Sequence, residues 1–460
     1  MKRVIFAGTS SGCGKTNVTC AVLQALRKRG FEISSFKCGC DYIDPMFHKN
    51  IIGTEAHNLD SFFCTPDTLK HILYEYSVNS DISVIEGVMG FYDGVDGRGS
   101  AYSVAEITDT SVVLVVDCKG MSDSIGAVIS GFLGYKSSNN IVGVIFNRLS
   151  ERLVPLAKKI CSELGTEYLG RMPTHKHSFE SRHLGLVIAD EITDIKEKME
   201  RLGELAENCI RLDRIIQLAE RVFPDFMPLS VDRIFAENPP IIAVARDKAF
   251  CFLYSENIEI LEKIGCKIEY FSPLDDMKIP ENANGLILCG GYPELYAERL
   301  AENLSMRESV RNAVLKGIPT IAECGGFMYL NKQIKVNDFN YDMAGVFDST
   351  AYKTDRLQRF GYITLISEVD SLLFGVGDRI TAHEFHYWDC TDCGAGLTAE
   401  KHDGKSWKCG FCSEHMYAGF PHIYFYSDIR MARRFALACA EYGGKNGKNI
   451  GDFADRQGIL

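Results

Sequence analysis

The chain has 460 residues, 46% hydrophobic and 24% charged, which is the make-up of an ordinary globular protein of two or three domains. A net charge of −11 argues against broad nucleic-acid binding, so an anionic substrate must find local basic pockets. No apolar run approaches the roughly 20 residues of a membrane span. Met1-Lys2-Arg3 carries no secretory pattern, and seventeen cysteines then read as reduced thiols, so the expected compartment is the cytoplasm with no membrane partner.

Val4 to Ala7 reads as a buried strand running into Gly8-Thr9-Ser10-Ser11-Gly12-Cys13-Gly14-Lys15-Thr16, with a helix after it. This is a variant phosphate-binding loop, because Thr9 stands where strict spacing puts the first glycine. Its N–H groups can cradle phosphates, Lys15 can reach the terminal phosphates and Thr16 can hold Mg²⁺. Strand and helix signals then alternate, as a parallel sheet covered on both faces requires. Polar groups follow the apolar strands: Lys37 and Gly39-Cys40-Asp41, Glu86-Gly87, Asp117, and Asn147-Arg148. That is the sheet edge where open α/β folds bind ligands.

Thr16, Asp41 and Glu86 form the expected Mg²⁺ set, with Asp44 an alternative to Asp41. Asn147 can read an adenine edge, and the absence of an Asn-Lys-x-Asp guanine pattern favours ATP. Lys37, Arg182 and His183, with Asp44, are candidate substrate ligands, and Arg98 is a further anion ligand. Residues 191 to 221 read as a closing helix.

Phe36-Lys37-x-Gly39-x-Asp41-Tyr-Ile-Asp44-Pro45, Asn58-Leu-Asp60, Glu86-Gly-Val-Met-Gly90 and Arg182-His183-Leu-Gly-Leu186 resemble the cobyrinate a,c-diamide synthases. The resemblance implies a dethiobiotin-synthetase-like domain that activates macrocycle carboxylates with ATP. A boundary is expected near Glu237-Asn-Pro-Pro240, giving a synthetase domain over 1–237, a second α/β domain over 238–445 and a polar tail over 446–460.

In the second half, a strand over Gly285 to Cys289 leads to Gly290-Gly291-Tyr-Pro-Glu294, a natural oxyanion loop. Thr320 to Ala322 is a strand followed by Glu323-Cys324-Gly325-Gly326, the pattern of a nucleophile elbow. The helix after it is expected to lower the Cys324 pKa. His422 is the best candidate base. Together Gly290, Gly291 and Gly325, Cys324 and His422 resemble the class I glutamine amidotransferases, although Tyr424 stands where many of them carry an acid. His383-Glu-Phe-His386 does not read as a metal pair, since on a strand its two histidines face opposite sides, and the resemblance implies that it is part of the glutaminase frame. Cys390-x₂-Cys393-x₁₅-Cys409-x₂-Cys412 has the spacing of a structural Zn²⁺ site.

The whole pattern implies an α/β enzyme that makes ammonia from glutamine at Cys324. It would pass the nitrogen to ATP-activated carboxylates of cobyrinate or a related tetrapyrrole, through an acyl phosphate. Hydrogenobyrinate or nickel-sirohydrochlorin are alternative macrocycles, and cobyric acid synthase fits the motifs less well. A partitioning or regulatory ATPase is the rival from another class, but it has no use for the Cys324 elbow.

Overall fold

The computed structural model describes residues 1–174 and 192–446, and the chain divides into two compact units, Met1–Leu229 and Ser230–Leu460. The division precedes Glu237 because the Ile234 and Phe235 N–H groups already donate to the Ile264 carbonyl, at 2.7 and 3.1 Å. Among the described residues no helix is long and apolar enough to cross a membrane.

The first unit is built on strands β1 (Arg3–Gly8), β2 (Ile33–Cys38), β3 (Glu55–Leu59), β4 (Ile82–Glu86), β5 (Ser111–Asp117), β6 (Ile141–Asn147) and β7 (Glu167–Met172). They form one parallel sheet in the order β3-β2-β4-β1-β5-β6-β7. Their near-continuous apolar runs are buried because helices cover both faces. Helix α1 (Lys15–Lys28) follows β1 directly. The expected closing helix is two: α2 (Ile192–Cys209) and α3 (Leu212–Leu218). Met199, Leu202 and Ala206 of α2 join the core beside α1, and Gly203 permits close approach there, since a Cβ would lie 2.7 Å from Gln24 Cγ.

The second unit has a six-stranded sheet. Its central strands are β8 (Ile241–Ala245), β9 (Lys267–Phe271), β10 (Gly285–Leu288) and β11 (Thr320–Glu323). Beyond them lie β13 (Phe411–Ser413) and β14 (Met416–Gly419), in the order β9-β8-β10-β11-β14-β13. All pairs are parallel except β13 with β14. A separate antiparallel sheet contains β12 (Arg379–His386) beside β15 (His422–Ile423). The last helix, Ile429–Asn446, reaches the first residue of the expected tail and carries Gly443 against Asn284. Residues 447–460 lie outside the described residues.

Candidate active sites

The phosphate loop joins β1 to α1. Gly14 has φ 90°, and a Cβ there would lie 2.1 Å from Asn147 Nδ2. That amide donates to the Cys13 carbonyl at 2.8 Å. Asn147, the expected adenine reader, therefore also braces the loop through its Nδ2. The Thr9 N–H is held by the Val115 carbonyl at 3.2 Å, which ties Thr9 to the sheet, whereas Ser10, Ser11 and Gly12 are exposed. Gly8 lies under the loop, where a Cβ would collide with Cys13 Sγ. Lys15 is buried, and that burial, reinforced by the Lys37 ammonium, lowers its pKa.

Thr16 Oγ1 donates to Glu86 Oε1 at 2.5 Å, bringing two hard oxygen donors together, a pairing that fits Mg²⁺. Asp41 is less committed to that role. Its Oδ1 accepts from the Ile43 and Asp44 N–H groups at 2.8 and 3.1 Å, so one oxygen serves the turn. Lys37 is not the open anion ligand suggested by its place in sequence. It is 3% exposed, bonds Asp44 closely and donates to Glu86 Oε1 at 2.8 Å. Burial opposes its charge, but Asp44, Glu86 and Asp41 hold its ammonium well above the ordinary value. Burial, followed by Asp41 and Glu86, raises the Asp44 carboxyl, leaving Glu86 the firmly ionised partner. Arg98 is exposed and stacks over Phe62 at 5.1 Å. Arg182 and His183 lie outside the described residues.

His48 belongs to this cluster and nothing in its sequence context marks it. It is 1% exposed with Nε2 3.4 Å from Glu86 Oε2. Cys20, His48 and Glu86 bring ligand atoms within 4.8 Å, the one such group of three among the described residues. Burial pushes the Cys20 thiol well up, which disfavours the thiolate a metal needs.

In the second unit, Cys324 leaves β11 with φ 47° and ψ −104°, strained for a residue bearing a Cβ. Its N–H donates to the Gly419 carbonyl at 2.8 Å and its carbonyl accepts from Met328 N–H at 2.9 Å, which fixes the elbow. The following helix spans only Gly325–Leu330. Contrary to the expected activation by that helix, burial and then the Glu294 carboxylate raise the thiol pKa, and the Gly325 N–H offsets only part. That direction favours the protonated thiol. A Cβ at Gly325 would lie 3.0 Å from the Gly291 nitrogen, so the elbow and the Gly290-Gly291 loop touch. Burial pushes the neighbouring Glu294 carboxyl up to about 7.

His422 sits over that loop: a Cβ at Gly290 would be 2.6 Å from its Cε1 and 3.5 Å from its Nε2. Its Nδ1 lies 3.3 Å from Glu323 Oε2, while Glu323 Oε1 accepts from Ile423 N–H at 3.1 Å. His383 pairs with His422 across β12 and β15, with rings stacked at 4.9 Å and 18°. Burial, then the neighbouring His422, holds His383 well below its ordinary value, so it is neutral. Glu384 turns instead to His386, at 3.1 Å.

The four cysteines with zinc spacing lie near one another, since the Gly410 N–H donates to the Cys393 carbonyl at 2.7 Å, but their sulfurs are not brought together as one ligand set. Cys390, Cys409 and Cys412 lie on strands of three different sheets. The Cys393 thiol donates to Asp389 at 3.3 Å, and Cys390 Sγ accepts from Asn331 at 3.5 Å. No three of these sulfurs lie within 4.8 Å of one another, so the arrangement does not fit a tetrahedral thiolate ion.

Residues 4–186 match the CobQ/CobB/MinD/ParA nucleotide binding domain, and residues 241–429 match the CobB/CobQ-like glutamine amidotransferase domain. A cobyrinate a,c-diamide synthase of Caldanaerobacter subterraneus subsp. tengcongensis is 39% identical over 450 residues, covering 96% of this chain and 99% of that one. Its namesake in Thermoplasma volcanium is 37% identical, covering 96% of this chain and 98% of its own. That of Listeria monocytogenes serovar 1/2a is 37% identical, over 94% and 98%. With a nucleotide-binding unit and an amidotransferase unit matched in order and at nearly full length, the chain is an ATP-using, glutamine-dependent amidating enzyme and belongs to the cobyrinate a,c-diamide synthase family.

Proposed function

We propose that this chain converts the a and c acetate carboxylates of cobyrinate to amides, a step of cobalamin biosynthesis, using ATP and glutamine. The observation that carries the reading is the strained Cys324 elbow set against the Gly291 nitrogen, with His422 over the same loop. In this reading Cys324 gives its proton to His422 and attacks the glutamine amide carbon. The developing oxyanion is met by the Gly291 and Gly325 N–H groups. His422 then protonates the leaving nitrogen, ammonia departs, and water releases glutamate from the thioester.

In the first unit a substrate carboxylate takes the γ-phosphoryl group of ATP. Ammonia displaces phosphate from the resulting acyl phosphate, leaving the amide, ADP and phosphate. The phosphate loop cradles the nucleotide, and Lys15 neutralises charge on the transferring group. Thr16 and Glu86, with Asp41 at the margin, would hold Mg²⁺, which supplies charge neutralisation when bound. Lys37 keeps Glu86 ionised and oriented. Arg182 and His183 are proposed as carboxylate ligands for the macrocycle.

Incubation with ATP, glutamine and a panel of tetrapyrrole polycarboxylates, followed by mass analysis of the products, tests the proposal. Two amides on cobyrinate are expected. Amidation of hydrogenobyrinate or nickel-sirohydrochlorin alone would reassign the macrocycle, and glutamine-independent ATP turnover without any amide would overturn the reading.

A further inference from the structure

We infer that Glu323, the residue immediately before the candidate nucleophile, is the positioning residue that sets the tautomer of His422. The inference rests on reading Cys324 and His422 as the glutaminase pair. A histidine that takes a proton from a thiol through one ring nitrogen needs its other nitrogen to carry a proton, which an acceptor must hold.

Glu323 meets that requirement. Its Oε2 lies 3.3 Å from His422 Nδ1, and its Oε1 is held by the Ile423 N–H at 3.1 Å, so the carboxylate is fixed at both oxygens. The fold explains how residues 99 positions apart meet. Glu323 ends β11 in register with Gly419 of β14, and the chain turns back through Phe420 and Pro421 to present His422. Glu323 and His422 are 7% and 3% exposed, so water competes little for either group.

The other faces of the imidazole are also occupied. Neutral His383 stacks flat against the ring, and the Cε1–Nε2 edge faces Gly290. With Nδ1–H donated to Glu323, Nε2 keeps its lone pair on the side of the oxyanion loop. Glu384 cannot replace Glu323, since it serves His386 and lies 3.9 Å from Arg359. Tyr424, two residues after the histidine, packs edge-to-face with Tyr254 and supplies no carboxylate.

The test is Glu323→Gln in the full chain. The amide can still accept from Ile423 N–H, but its NH₂ then faces Nδ1 and drives the proton to Nε2, blocking the base. Glutaminase kcat should fall about 100-fold or more, with KM for glutamine within about threefold of the parent. Nitrogen NMR of histidine-labelled protein should show His422 protonated at Nδ1 in the parent and at Nε2 in the variant. Glu323→Asp, which keeps the charge, should restore part of kcat and the Nδ1 form. Unchanged kcat in Glu323→Gln, or a parent His422 protonated at Nε2, would overturn the inference. So would a lost kcat with the tautomer unmoved, which would make Glu323 merely structural. The parent spectrum decides even where a variant does not fold. A Cys324→Ala protein that still hydrolyses glutamine would instead overturn the underlying reading of the site.

Discussion

Gly290→Ala is the sharpest probe of the amidotransferase site because the added methyl has a known destination. It would lie 2.6 Å from His422 Cε1 and 3.2 Å from Phe252 Cβ. Carbon atoms settle at about 3.5–4.0 Å, so the ring must retreat by roughly 1 Å. A displacement of about 1 Å at a reacting group can cost about 100-fold in rate. The ring cannot yield freely, since Glu323 holds Nδ1 and His383 covers a face. Glutaminase kcat should therefore fall about 100-fold, while overpacking costs about 1–3 kcal/mol of stability. Synthesis driven by ammonium chloride should persist, because it needs no glutamine hydrolysis. The assay compares glutamate release with amide formation from ammonium in the same preparation. Glutamate release at the parent rate would refute the placement of His422 over the Gly290 loop as a working arrangement.

Cys324→Ala should lose glutamine-driven synthesis and keep ammonium-driven synthesis, more strongly at alkaline pH where more neutral ammonia exists; loss of both in a folded protein would move the cysteine into the synthetase step. Lys15→Ala should fail with either nitrogen source, and product formation near the parent rate would remove the phosphate loop from the mechanism. Glu294 links stability to pH. Burial raises its carboxyl from 4.5 to about 7, so between those values the folded chain binds the extra proton and stability falls as pH rises. The stabilising effect of Glu294→Gln should thus grow by about 1–3 kcal/mol from acid to alkaline conditions. Denaturant midpoints measure it, and a pH-independent difference would contradict the buried carboxyl.

What sequence alone determined was local. The phosphate loop, the Glu-Cys-Gly-Gly elbow and the Gly290-Gly291 loop are each a few consecutive residues whose backbone needs are written in their glycines and flanking apolar strands. His422 could be picked from its neighbours, and the alternation of strands and helices sufficed for two α/β units. What the tertiary structure decided involves partners far apart in the chain. Lys37 looks in sequence like a charge after a strand, but parallel pairing of β2 with β4 sets it beside Glu86 and turns an anion ligand into a buried ion pair. Asn147 reaches Cys13 across 134 positions for the same reason. The zinc spacing is convincing as a string, but its two cysteine pairs, although tied by the Gly410 N–H to the Cys393 carbonyl, do not bring three sulfurs within 4.8 Å of one another. Glu323 was hidden beside the nucleophile, where proximity in sequence says nothing about His422. Its role depends on the register of β11 against β14, and register is set by which side chains the core buries, a property of the whole sheet and not of any short segment.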